Sequence, residues 1–116
     1  MNLQQKLERI GTALATGLAG TCEVWHYWRP KLQAPFCVWA EDGEDEAFDA
    51  DNAKKEQVIS GYVDYYTKTE YDPITDTIQQ ILNTIFEAGV FGWRLESVQY
   101  EDETNMIHYE WRWSCS

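Results

Sequence analysis

Met106-Ile107-His108-Tyr109-Glu110-Trp111-Arg112-Trp113 is the stretch on which the fold turns. Ile107, Tyr109, Trp111 and Trp113 alternate with His108, Glu110 and Arg112, the period-two pattern of a strand with one apolar and one wet face. Immediately upstream, Glu101 to Asn105 supply a polar turn, and Trp93 to Tyr100 read as the antiparallel partner, entered from Gly92. The chain therefore closes on a strand pair.

Before that pair, Asp72-Pro73 opens a helix by local rules. Asp72 is the N-cap, Pro73 takes the first helical position, and Asp76 faces the positive dipole end. Ile74, Ile78, Ile81, Leu82 and Ile85 form its apolar stripe, and Gly89 is the expected stop. A second helix is expected at the start of the chain, where Leu3, Leu7, Ile10, Leu14 and Leu18 recur at spacings of four, three, four and four, with Gly20 suited to the cap. Gly11 and Gly17 each cost that helix roughly 1 kcal/mol relative to alanine, so it must depend on packing.

Three strand-like stretches lie between the helices. Cys22 to Arg29 carries the β-formers Val24, Trp25, Tyr27 and Trp28 and should stop at Pro30, which lacks a ladder donor. Phe36 to Ala40 is apolar on both faces, and Val58 to Thr67 is a longer third strand. Between the last two, Glu41, Asp42, Glu44, Asp45, Glu46, Asp49 and Asp51 place seven acids in eleven residues, which predicts a solvated loop over about 41–55. The expected fold is α+β in the order α-β-β-β-α-β-β, a two-layer domain over residues 1–116 with both helices on one face of an antiparallel sheet.

Charge narrows the function. Nine basic against twenty acidic residues give −11, which repels nucleic-acid phosphates and anionic membranes. No run of about 18 apolar residues offers a membrane span, and Met1 to Lys6 leads into a charged amphipathic pattern. A soluble protein made in the cytoplasm is expected.

No catalytic, cofactor-binding or metal signature emerges. The acidic run lacks the order of an EF-hand loop, His26 and His108 lack Cys or Asp partners at ligand spacing, and the three cysteines Cys22, Cys37 and Cys115 show no CxxC. Their aromatic and acidic surroundings do not favour a reactive thiolate. Six tryptophans and seven tyrosines are more aromatic surface than so small a domain readily hides. Core plus subunit interface is preferred for them, with Trp111 and Trp113 as candidate subunit contacts; a ligand pocket or carbohydrate platform is the competing account.

Leu32-Gln33-Ala34-Pro35-Phe36-Cys37-Val38-Trp39, Gly61-Tyr62-Val63-Asp64-Tyr65-Tyr66 and Trp93-Arg94-Leu95-Glu96-Ser97-Val98-Gln99-Tyr100, taken with the element order, resemble the tail-completion or tail-terminator proteins of long-tailed bacteriophages and prophages. The resemblance spans nearly the whole chain as pattern. It implies a structural protein without enzymatic activity or cofactor, assembling with itself into a ring, commonly a hexamer, in the host cytoplasm and then in the virion tail. The ring would cap the tail tube protein and meet the head connector proteins, while DNA passes without specific binding. In that setting Glu41, Asp42, Glu44, Asp45, Glu46, Asp49 and Asp51 would line the lumen or face a partner. Another head-to-tail joining or minor tail protein, or a cytosolic aromatic-faced module for a ligand or peptide, is the alternative.

Overall fold

A computed structural model of the chain describes residues 1–28, 33–44, 57–86 and 92–115. Within them, helix α1 (Leu3–Gly17) is followed by strands β1 (Glu23–His26), β2 (Phe36–Glu44) and β3 (Ile59–Thr67), helix α2 (Ile74–Phe86), and strands β4 (Gly92–Glu101) and β5 (Met106–Cys115). The order is the expected one. The strands form one five-stranded sheet in the spatial order β1-β2-β3-β5-β4. An all-antiparallel sheet does not hold: β1 runs parallel to β2, with Glu23 opposite Phe36 and His26 opposite Trp39, so the sheet is mixed. The β2–β3, β3–β5 and β4–β5 pairs are antiparallel.

Helix α1 begins with a reciprocal cap. Gln5 N–H donates to Asn2 Oδ1, and Asn2 N–H donates to Gln5 Oε1, both at 2.9 Å. Leu7, Ile10, Leu14 and Leu18 are buried as their spacing requires, whereas Leu3 at the helix start stays exposed. Gly11 earns no helical stability locally, but a Cβ there would come within 2.8 Å of the Trp39 ring. The missing side chain is what lets α1 lie close against β2, so tertiary packing offsets the propensity cost.

Helix α2 starts as read. Asp72 is buried, and its carboxylate accepts from Ile74 N–H at 2.9 Å and from the Tyr65 and Thr67 hydroxyls at 2.6 Å each. The N-cap is thus tied to β3 as well as to its own helix. Burial works to raise the Asp72 pKa, but the hydrogen bonds from Thr67, Tyr65 and Ile74 outweigh it and hold the carboxyl below its ordinary value.

Both helices contribute to one core cluster, joined by Cys37 and Trp39 of β2, Ile59, Val63 and Tyr65 of β3, and Trp111, Trp113 and Cys115 of β5. The strand residues are all odd-numbered positions, the mark of a single sheet face. Polar pins cross the same space: Trp111 Nε1 donates to Gln79 Oε1 at 3.1 Å, Trp93 Nε1 to Asn83 Oδ1 at 2.9 Å, and Arg9 to the Ile85 carbonyl near the end of α2 at 2.9 Å. Trp113 stacks on Phe86 at 5.4 Å and lies over Gly61, its direct cross-strand partner, where a Cβ would collide with both the indole and the Ala40 carbonyl.

The acidic stretch departs from expectation. Glu41, Asp42 and Glu44 belong to β2 rather than to a loop, because the strand continues past Ala40 to pair Glu41 with Gly61, Gly43 with Ser60 and Glu44 with Ile59. A bulge between Glu41 and Gly43, with Gly43 at φ 154°, accommodates the turn in register. Asp45, Glu46, Asp49 and Asp51, together with the expected stops at Pro30 and Gly89, lie outside the described residues. Among the described residues no helix is long and apolar enough to cross a membrane.

Candidate functional site

Trp111 and Trp113 are buried within the chain, 1% and 2% exposed, so the two tryptophans expected at a subunit contact fill the core instead. The reason is their register: they stand on the sheet face beneath α2, where an indole fills the gap between helix and strand. One patch of exposed apolar surface lies along the outer strand of the same hairpin.

Strand β4 ends the sheet, and its ten residues have β5 as the strand neighbour on one side and none among the described residues on the other. Leu95, Val98 and Tyr100 pair with Trp111, Tyr109 and Ile107, so they share the helix-side face. Helix α2 reaches Trp93 and Trp111 but leaves these three 46%, 50% and 60% exposed. A bulge between Leu95 and Ser97 shifts the alternation, so that Leu95 and Val98 fall on one face. Apolar positions run 93 and 95, then 98 and 100, a phase slip that is itself the bulge signal.

The opposite sheet face is polar at its centre. Arg112 grips Asp42 with both terminal nitrogens, at 2.7 and 3.1 Å, and these bonds raise the guanidinium pKa further against the effect of burial. Beside this pair stand Asp64, His108 and Glu110, whose ligand-type atoms all lie within 4.8 Å of one another. Burial first, then the negative charges of Asp64 and Asp42, push the Tyr62 hydroxyl up, keeping it neutral. A second apolar cluster of Phe36, Val38 and Tyr66 borders the group.

A third feature surrounds β1. The His26 ring lies between Tyr27 and Trp39, with centroids 3.8 and 3.9 Å away, and its Nε2 is 2.8 Å from Glu41 Oε1. The Tyr27 hydroxyl donates to the other oxygen of the same carboxylate. Glu41, expected to line a lumen or face a partner, is here engaged in holding β1 to β2. Trp28 is 64% exposed and meets Trp25 edge-on at 5.5 Å.

Two of the cysteines sit where burial disfavours the thiolate. Burial, with Asp72 and Glu23 nearby, pushes the Cys22 thiol up to about 11, and burial pushes Cys37 well above its ordinary value. Cys115 is buried near Arg9, whose guanidinium is 3.7 Å from its sulfur. No protein-family model matches this chain, and no curated protein sequence matches it.

Proposed function

We propose that this chain is a tail-completion, or tail-terminator, protein of a long-tailed bacteriophage or prophage, acting as a ring that caps the tail tube and joins it to the head. The observation that carries the reading furthest is the β4 edge: a ten-residue outer strand with Leu95, Val98 and Tyr100 exposed beside it. Such an edge offers unpaired backbone groups and apolar area to a second chain. A contact between β4 of one subunit and a different surface of the next is heterologous, and a heterologous contact closes into a ring when its rotation allows. In this reading each subunit is a rigid two-layer body with its helices on one sheet face. The formal charge of −11 keeps DNA passing through the ring from adhering.

Electron microscopy of lysates from the parent phage with this gene deleted tests the proposal. Filled heads beside unjoined tails of irregular, excessive length are the expected result; normal infectious particles would overturn it. A second reading, a module binding a ligand or peptide, draws on the exposed Trp28 and Tyr27. It requires a monomer whose tryptophan fluorescence shifts saturably on titration with one compound or peptide.

A further inference from the structure

We propose that Asp64, His108 and Glu110 form a binding site for one divalent transition-metal ion of the zinc class, on the sheet face opposite the helices. The register makes the site. Asp64 on β3 stands directly across from Glu110 on β5, and His108 lies two residues away on the same face. Two carboxylates directly opposite each other repel, so the pair calls for a cation between or beside them. The nearby guanidinium of Arg112 is already engaged by both oxygens of Asp42.

A second observation points the same way. Asp64 Oδ1 and His108 Nε2 are both buried and, among the described residues, neither has a hydrogen-bond partner. They are 3.3 Å apart without the alignment of donor and acceptor. An ion held at about 2.0–2.1 Å by each of them in tetrahedral geometry would set them about 3.3–3.4 Å apart, and Glu110 is within reach as the third ligand. Buried atoms that converge to 3.3 Å without forming a hydrogen bond are what a metal ion satisfies.

The surroundings orient the imidazole. Glu101 stands on the other side of the ring, its Oε2 3.7 Å from His108 Nδ1, while Nε2 is the nitrogen that faces Asp64. Tyr66 stacks on the ring at 4.2 Å and 15°, fixing its plane. A nitrogen donor with two carboxylates suits Zn²⁺, Co²⁺ or Ni²⁺ better than Ca²⁺ or Mg²⁺, which take oxygen ligands. Three protein ligands leave a fourth position for water or for a group from a neighbouring molecule. The site joins β3 to β5 and is independent of the ring reading.

Calorimetric titration of the chelator-treated protein with Zn²⁺, and with Co²⁺ followed by visible absorption, tests this. One ion per chain is expected, with a tetrahedral cobalt spectrum. His108→Ala and Glu110→Gln should each weaken binding at least about tenfold, and His26→Ala and Cys22→Ser should leave it unchanged. In the unmodified protein, the ¹⁵N resonance of His108 Nε2 should move on zinc addition while those of His26 stay, which guards against a variant that misfolds. Absence of saturable binding, or binding that survives both ligand variants or moves His26 instead, would overturn the proposal in favour of a simple His108–Asp64 ion pair.

Discussion

Arg112 and Asp42 are 70 positions apart in the chain and sit on β5 and β2, strands separated by β3, yet the guanidinium closes a two-pronged bond on the carboxylate at 2.7 and 3.1 Å. The pair spans the middle strand and fastens the acidic end of β2 to the hairpin. Both side chains retain contact with solvent, at 28% and 40% exposure, so water screens the bond. Asp42→Asn should lower stability by about 0.5–1 kcal/mol in urea titrations at low salt, and the difference from the parent protein should shrink as salt rises.

Asp72 has the larger effect. Its carboxylate satisfies two hydroxyls and a helix N-terminal N–H in a buried position, and Asn offers one carbonyl oxygen where two accepting oxygens are used. Asp72→Asn is expected to cost about 1–3 kcal/mol at neutral pH. The folded pKa lies below the unfolded value of about 3.9, so the stabilisation is complete above that value and is lost as pH falls through the folded one. Urea titrations across acidic pH should show a decline in the parent that Asp72→Asn lessens.

Gly61 sits where Trp113 crosses β3. A side chain there collides with the indole and with the Ala40 carbonyl, neither of which can retreat from a packed sheet. Gly61→Ala should cost about 1–3 kcal/mol in thermal or urea unfolding, and Gly61→Val more, in spite of valine's preference for strands.

The thiols should be inert in the folded protein. With Cys22 pushed up to about 11 and Cys37 well above its ordinary value, iodoacetamide at pH 8 is expected to label neither appreciably within the time that modifies all three cysteines in urea. Mass spectrometry of the native protein reads this directly, and rapid labelling of Cys37 would contradict its burial.

If β4 is the assembly edge, Leu95→Lys with Val98→Lys should leave the unfolding midpoint nearly unchanged, because both side chains are about half exposed. The same double variant should fail to restore tail length control in a complementation assay, and should abolish any self-association seen by light scattering. Retained function would remove β4 from the interface.

Local rules carried the elements and little of the site. The Asp72-Pro73 helix start and the alternation in β5 were legible because a cap and a strand face are written within a few neighbouring residues. The acid-rich residues 41–44 misled, since local charge argued for a loop while pairing with Ile59 to Gly61 extended the strand. The Asp64, His108 and Glu110 group was legible only in half: His108 and Glu110 share a face of one strand, but Asp64 is brought to them by the β3–β5 register.

By itself the sequence determined the element order, the apolar stripe of each helix and the alternating face of the last strand, because hydrophobic period and capping act over one or two turns of chain. Tertiary structure decided the rest. It set β1 parallel to β2, placed Trp111 and Trp113 under α2 and left Leu95, Val98 and Tyr100 uncovered. It also brought Asp42 to Arg112 and Asp64 to His108. These outcomes depend on which strands become neighbours and where each helix ends, and long-range packing settles those after the local patterns have been satisfied.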